Sequence, residues 1–349
     1  MRIVIVGIGS IGSRHLGCCE QAGHQVVTVD GKGVADCDRM ARVPEPSGVD
    51  AWVVATPTGT HLPVFKEILR HQPDARVLLE KPACYPAELP DLTRLLQQHP
   101  RCRVVVNDVY AYSKAVRRFA EAVRRFSEFD PIRKITVEFT KNRELDVANG
   151  RFVDTQYGEA GYEFFHMLSI VRSILPGDRY QVYLRTEPVL ITGEMRVRIS
   201  PTNAPELEMY ASSRGVVGFP GLADFAFSST AAKHYLARSR IPYGVDMRYR
   251  VADVELCSGK HVTLVFEPLY GTAVDYKNKH IVYVHDGDSR YQLTISGNHF
   301  KEAVLTQLDL LRHADEGTAV IRLAEHQCMA CLGVSASIGE KFARFESEA

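Results

Sequence analysis

The opening sixteen residues, Met1 to Leu16, constrain this chain more than any other stretch. Arg2 to Val6 read as a short buried parallel strand, because four of the five residues are β-branched and no polar face interrupts them. Gly7, Gly9 and Gly12 follow at dinucleotide-binding spacing. The first permits a tight turn, and the second lets backbone approach a pyrophosphate. The third lets the next helix pack closely, with the N–H groups at Ser10 and Ile11 aimed at the phosphates. A helix-like run extends to Ala22, with Gly23 as its stop, and a second strand covers Gln25 to Val29. That strand ends on Asp30, eighteen residues after Gly12. A carboxylate there accepts hydrogen bonds from both ribose hydroxyls of NAD and repels the 2′-phosphate of NADP. The competing reading is a Rossmann domain that holds another nucleotide, or none.

At 349 residues the chain is long enough for two domains. Lysine plus arginine equals aspartate plus glutamate at 42 each, so no net field recruits nucleic acid or an anionic membrane. The basic pairs Arg117-Arg118 and Arg124-Arg125 alternate with apolar residues at helical spacing, as on the solvated face of an amphipathic helix. The apolar N-terminus is consumed by the strand–glycine–helix pattern and is too short for a secretion signal. No apolar run approaches the ~20 residues that span a bilayer. Eight cysteines are scattered, and Cys328 and Cys331 form the one C-x-x-C pair. With no second pair or histidines at ligand spacing, we expect no metal site, but buried thiols in a reducing, cytoplasmic setting.

Residues 31–48 are too short and irregular for a full second βα unit. Asp50 to Ala55 is the next strand, and Thr56-Pro57-Thr58-Gly59-Thr60-His61 stands at its carboxyl end. Thr58 or Thr60 is positioned to cap the helix that follows. Ligands of open parallel sheets bind at the carboxyl ends of strands, which puts this turn and His61 beside the cofactor. For His61 the alternative is a capping or packing role. Strand Arg76 to Leu79 ends on Glu80-Lys81-Pro82, and a helix from about Pro86 to Gln98 leads to strand Arg103 to Val106. Proline fixes the local backbone and holds Lys81 toward the cofactor crevice. The run from Asn107 to Tyr112 marks the exit from the first domain, taken as 1–109, with 110–349 as the second.

The set G-x-G-x-x-G, A-T-P-x-x-x-H and E-K-P, in this order and at these strand ends, resembles the glucose–fructose oxidoreductase/inositol dehydrogenase (Gfo/Idh/MocA) family. The resemblance is best over residues 1–126 and resumes near 158–177. It implies an N-terminal Rossmann domain with a doubly wound parallel sheet. An α+β domain with a large, mainly antiparallel open sheet would follow. In the family a glycine pair, a carboxylate and a histidine line the substrate pocket. Here Gly158, Gly161, Glu163 and His166 match on a predicted helix, with Glu163 and His166 at i,i+3. Many members have Asp four residues before the histidine; that position is Tyr162, and Glu163 resembles a second variant.

The second domain should open with a helix capped by Ser113 and a strand from Lys134 to Thr140. A loop, 142–157, would overhang the site. Strand-like runs then cover Gln181–Leu184, Glu206–Ala211, Asp224–Ser228, Arg248–Leu256, Val262–Phe266, Ile281–Val284 and Tyr291–Ile295. Helices at about Asn298–Ala314 and Leu323–Phe342 close the chain, the C-terminal ones free to pack back on the first domain. The segment 213–243 exceeds the family's need and would shape the pocket or an oligomer contact. Covering both faces of such a sheet predicts a homodimer or homotetramer.

The implied chemistry is NAD(H)-dependent interconversion of a secondary ring hydroxyl and a ketone on a sugar, nucleotide-sugar or cyclitol. NAD is expected over NADP. His166 would act as acid/base, Lys81 as the polarising partner and Glu163 as the group orienting His166, with Tyr110 or Tyr162 on substrate hydroxyls. Gly7, Gly9, Ser10, Ile11, Gly12, Asp30, Thr56, Pro57, Thr58, His61, Glu80 and Lys81 would line the cofactor. Two other classes fit the same fold: an NAD-retaining hydrolase or eliminase, and a non-catalytic cofactor-sensing regulator. An intact Lys81 and His166 weigh against the regulator.

Overall fold

The structure, a computed structural model, describes residues 1–149, 157, 160–192, 196–223, 241, 248–268, 277–287 and 289–331. The chain divides into two compact units, one of Met1–Val109 with Phe300–His326, the other of Tyr110–His299 with Gln327–Ala349. No helix among the described residues is long and apolar enough to cross a membrane.

In the first unit the pattern read from the opening residues forms as expected. Strand β1 (Arg2–Val6), helix α1 (Ser10–Gln21) and strand β2 (Gln25–Val29) lead, and Gly23, at φ +76°, takes the left-handed turn that ends α1. Residues 31–48 hold only two 3₁₀ turns, Met40–Arg42 and Pro46–Gly48. Then come β3 (Ala51–Val54), α2 (Thr58–His71), β4 (Arg76–Leu79), α3 (Leu89–Gln98) and β5 (Arg103–Val106). The sheet is parallel, ordered β5-β4-β3-β1-β2, with a sixth strand, Ala319–Val320, beside β5. Ile3, Ile5, Ala51, Val53, Leu78 and Val105 face α1 and the helix His299–His313, whose Phe300, Val304, Leu308 and Leu311 fill the layer. From the opposite face Trp52 donates to Gln72, just past α2, at 2.7 Å. One sequence expectation fails here. Neither Thr58 nor Thr60 caps α2: Pro57 occupies the cap position and Thr60 Oγ1 donates back to its carbonyl at 2.7 Å.

The second unit opens with α4 (Lys114–Ser127), capped as expected by Ser113, whose hydroxyl accepts from Val116 N–H at 3.3 Å. Strand β6 (Ile132–Lys141) and the short helix α5 (Glu144–Ala148) follow. Helix α6 (Phe165–Ile174) is entered through a π-helical turn, Ala160–Phe164, and precedes α7 (Gly177–Arg185). The strand expected at Gln181–Leu184 is therefore helical. The buried positions of α7 are Tyr180 and Tyr183, an i,i+3 pair on one helix face, while Val182 and Leu184 supply the alternation that reads as a strand.

Seven further strands complete the sheet: β7 (Val189–Thr192), β8 (Arg196–Ile199), β9 (Glu206–Ser212), β10 (Arg248–Leu256), β11 (His261–Phe266), β12 (Lys279–Asp286) and β13 (Ser289–Ser296). Their order is β13-β12-β11-β10-β6-β9-β8-β7, antiparallel except for the central β6–β9 pair. Strands β7 and β8 were not expected. The run 224–228, expected as a strand, and most of the segment 213–243 lie outside the described residues.

Register divides the sheet chemically. Ile135, Val137 and Phe139 share one face with their neighbours Leu207, Met209 and Ala211. The other face carries Lys134, Thr136 and Glu138 beside Glu206, Glu208 and Tyr210. There Glu208 collects Lys134 at 3.0 Å, Arg198 at 2.7 Å and Arg196 at 3.3 Å. Burial pushes its carboxyl up, but these three partners hold it at about 2.

Candidate active site

The glycine loop is built to admit a ligand. Gly7 takes φ +92°, a conformation side chains disfavour, and a Cβ at Gly12 would come within 1.8 Å of the Gly7 carbonyl. A Cβ on Gly9 would meet nothing, so the space above the loop is open. Gly9 caps α1 without a side-chain bond and no acidic residue lies in the first turn, which leaves the N–H groups at Ser10 and Ile11 suited to an anion. Asp30 Oδ2 accepts from Ile8 N–H at 2.8 Å and Oδ1 from Lys32 N–H at 2.9 Å. These bonds fix the carboxylate and leave lone pairs on both oxygens. A dinucleotide fits this donor and acceptor set.

The E-K-P turn leaves β4 with a cis Lys81–Pro82 bond and is pinned from three sides. His61 Nδ1 lies 2.9 Å from the Pro82 carbonyl and Nε2 2.8 Å from the Thr56 carbonyl, so its ring, 1% exposed, joins the two turns. Burial lowers its pKa, against the pull of those two carbonyls and Glu80. Ala83 N–H donates to His326 Nε2 at 2.9 Å, while His326 Nδ1 donates to the Arg322 carbonyl at 2.9 Å. That pairing demands a neutral ring, and burial keeps the His326 pKa down at about 4. Glu80, 6% exposed, accepts from His15 Nε2 at 2.7 Å and from Asn107 Nδ2 at 2.5 Å. Burial pushes its carboxyl up, yet His15, Asn107 and the Lys81 charge hold it at about 2. Lys81 itself is half-buried. His61, expected beside the cofactor, spends both ring nitrogens on protein carbonyls.

In the second unit Tyr110 is the hub. Its ring meets Phe139 at 5.1 Å, His166 at 5.1 Å and Phe266 at 5.2 Å, all edge to face. Its hydroxyl accepts from Arg250 Nη1 at 2.8 Å. Burial raises the Tyr110 pKa, and Arg250 opposes it. Glu163, expected to orient His166, turns its carboxylate to Arg143 at 2.7 Å and to Arg250 at 3.2 Å. Burial works against the Arg250 charge, but Glu163 and Tyr110 more than restore it, so its pKa is raised. His166 is half-buried at the head of α6. The side chain of Tyr162 lies outside the described residues, as do Gly158 and the loop 150–156.

Behind Tyr110 runs a buried string. His280 Nε2 donates to the Gly297 carbonyl at 3.0 Å, His299 Nε2 to His280 Nδ1 at 3.2 Å, and Ser113 Oγ to His299 Nδ1 at 2.5 Å. Two neutral rings satisfy this order, and burial and His280 keep the His299 pKa well down.

Residues 21–107 match the model of the Gfo/Idh/MocA oxidoreductase family, NAD-binding Rossmann fold. Over that stretch the chain is similar to the Gfo/Idh/MocA Rossmann domain. The match takes in Asp30, the A-T-P-x-x-x-H turn and E-K-P, two of the three motifs on which the resemblance was read, and begins after the glycine motif. No protein of curated function matches the sequence.

Among solved structures, UDP-N-acetylglucosamine 3-dehydrogenase GnnA from Acidithiobacillus ferrooxidans is similar at TM-score 0.59 and 14% identity, over 98% of this chain and 99% of that one. KijD10, a 3-ketoreductase from Actinomadura kijaniata solved with NADP and TDP-benzene, reaches TM-score 0.66 at 12% identity, over 96% of each chain. A D-galactose-1-dehydrogenase from Rhizobium etli gives 0.59 at 16%, over 95% and 94%. At such identities the likeness is one of fold.

Four groups that hold the Gfo/Idh/MocA motifs in place escaped the sequence reading: His15, Asn107, Gln307 and His326. Only His15 left a signal, three residues after Gly12 and so one helical turn along the same face of α1. Arg143 and Arg250 left none. Of the cysteines expected to be buried, Cys18, Cys19, Cys37, Cys84, Cys102 and Cys328 are, but Cys257 is exposed. Burial pushes the thiols of Cys19, Cys84 and Cys102 up to about 12, far from reactive.

Proposed function

We propose that the chain is an NAD(H)-dependent oxidoreductase that interconverts a secondary ring hydroxyl and a ketone on a sugar, nucleotide-sugar or cyclitol. The observation that carries this reading is the oxidoreductase-family match falling on a pinned E-K-P turn. A solved sugar-nucleotide dehydrogenase and a 3-ketoreductase of the same fold support it. The nicotinamide cofactor, when bound, supplies the exchange of hydride. The protein has one proton and one developing charge to manage. Lys81 polarises the reacting oxygen with its ammonium group, and His166 takes or returns the proton. Tyr110, which accepts from Arg250, keeps its own O–H to donate to a substrate oxygen. Glu163 holds Arg143 and Arg250 in place.

Polar groups of both signs suit a polyhydroxylated ring, because each unmatched buried polar group costs about 1–3 kcal/mol. An aliphatic alcohol would strand them. Asp30 favours NAD over NADP through repulsion of the 2′-phosphate. On the same reading the enzyme is a cytoplasmic homodimer or homotetramer.

The test is to identify any nucleotide that copurifies, then to screen sugars, inositols, sugar acids and nucleotide-sugars by nicotinamide absorbance. Turnover of a ring hydroxyl or ketone is expected, with tighter NAD than NADP binding to the apo protein. Activity confined to aliphatic alcohols, amino acids or hydroxy acids would overturn the substrate class.

A further inference from the structure

Resting on that reading of the cofactor, we propose that His15 and Glu80 act as one positioning pair that couples the glycine loop to the E-K-P turn. His15 lies on α1, whose N-terminus is the expected pyrophosphate site, and its ring is wholly buried. Its Nε2 reaches Glu80 Oε1 at 2.7 Å across sixty-five residues of sequence. Glu80 is the residue before Lys81, and its second oxygen accepts from the Lys81 N–H at 3.2 Å. A movement of α1 on ligand binding is thus transmitted to the backbone that carries Lys81 through two consecutive hydrogen bonds.

The anchorage behind Glu80 makes this link stiff. Asn107, at the end of β5, donates to Glu80 and accepts from Gln307 Nε2 at 2.8 Å. Gln307 in turn accepts from the Asp108 N–H at 2.9 Å and donates to the Ala303 carbonyl at 3.0 Å. Every side chain of this series is buried. Packing adds a second restraint, since the His15 ring meets Phe300 edge to face at 4.8 Å. His15 Nδ1 has no hydrogen-bond partner among the described residues. An isolated core histidine would gain by turning a nitrogen to water. This one keeps a buried nitrogen unmatched while the other holds Glu80, which marks that single bond as the reason for its placement. Coupling between cofactor and lysine also gives the pair a purpose that packing alone lacks: occupancy of the loop tightens the hold on Lys81.

The experiment follows hydrogen exchange in the peptide covering residues 79–85 and in that covering 7–13, with and without NADH. In the wild type NADH is expected to slow exchange in both. His15→Leu keeps bulk against Phe300 but removes the donor; protection of 7–13 should persist while protection of 79–85 is lost. NADH Kd should rise about tenfold, within the usual range of coupling between two sites. His15→Gln, whose amide nitrogen falls where Nε2 stood, should restore both. Should His15→Leu not fold with a stranded carboxylate, the double variant His15→Leu/Glu80→Gln removes that charge and is expected to lose the same protection. Protection of 79–85 retained in either variant overturns the pairing. A wild type that binds no NADH overturns the pairing together with the cofactor reading. If NADH binds but no sugar turns over, only the proposed reaction falls, and the exchange data still decide on His15 and Glu80.

Discussion

The E-K-P turn and the cluster around Glu163 are both buried and polar, but they are built in opposite ways. Around the turn, histidines grip mostly backbone: His61 the carbonyls of Thr56 and Pro82, His326 the N–H of Ala83. Around Glu163, four side chains from distant segments hold one another: Tyr110, Arg143, Glu163 and Arg250. A backbone-held turn keeps its shape when the side chain it presents is changed. A side-chain lattice does not, because its members compensate for one another's burial. The first arrangement suits a residue that must be placed; the second suits a surface that must be charged and dry.

The largest expected effects come from the two groups the contrast sets apart. Lys81→Ala should lower kcat by ~10²–10⁴ while leaving NAD affinity nearly intact, since the turn does not depend on its ammonium. His166→Ala should lower kcat on the same scale and flatten the pH–rate profile near neutrality. Steady-state kinetics with parallel cofactor titration separates the two. If His166→Ala keeps most of its turnover, the histidine is structural and Lys81 alone manages the proton.

A smaller effect, on stability, tests the lattice. Arg250→Met strips the Tyr110 hydroxyl of its donor and takes one arginine from Glu163 while Arg143 stays. Removing one member of a buried ion pair costs about 3–5 kcal/mol. The retained Arg143 bond places the expected loss at the lower end. Urea unfolding followed by far-ultraviolet circular dichroism, which reports both units, reads it. A loss below about 1 kcal/mol would fall in the range of exposed pairs, and the lattice would not be the source of order here.

The same contrast governs what could be read from the sequence. The Rossmann unit was legible because its signals are contiguous: β-branched runs, glycines at fixed spacing, and E-K-P directly after a strand. Residues 31–48 were correctly read as too short for a full βα unit. The pinning residues His326 and Gln307 were hidden, since they come from the far end of the chain and carry no local pattern. In the second unit, alternation located β6 and β9 to β13, because one face is apolar and the other charged. It misplaced Gln181–Leu184, where Val182 and Leu184 alternate as in a strand while Tyr180 and Tyr183, three apart, form the buried face of a helix. It missed β7 and β8, each only four residues long, although Val197 and Ile199 of β8 are buried in alternation with Arg196 and Arg198.

The smallest expected effect is a difference in pH response between two buried carboxylates. Glu138 accepts from the N–H groups of Gly218 at 2.9 Å and Phe219 at 2.7 Å and from Thr140 Oγ1 at 2.9 Å. Burial outweighs those bonds and pushes its carboxyl up to about 7, whereas Glu80, beside His15 and Lys81, stays at about 2. An acid whose pKa is raised on folding stabilises the fold below its unfolded value of 4.5, and that contribution is lost as pH rises through about 7. One whose pKa is depressed does the reverse: Glu80 stabilises above 4.5, and its contribution is lost as pH falls toward about 2. Urea unfolding between neutral and mildly acidic pH should therefore show the second unit gaining at most about 3 kcal/mol on acidification, from ~1.4 kcal/mol per pKa unit. Glu138→Gln should abolish that slope. It also places an amide nitrogen or a bare oxygen against donors that need three acceptor sites, so it lowers stability at acidic pH. A slope that survives Glu138→Gln would assign the titration to another group, and His261, raised by its bond to Asp253 at 2.9 Å, is the first to examine.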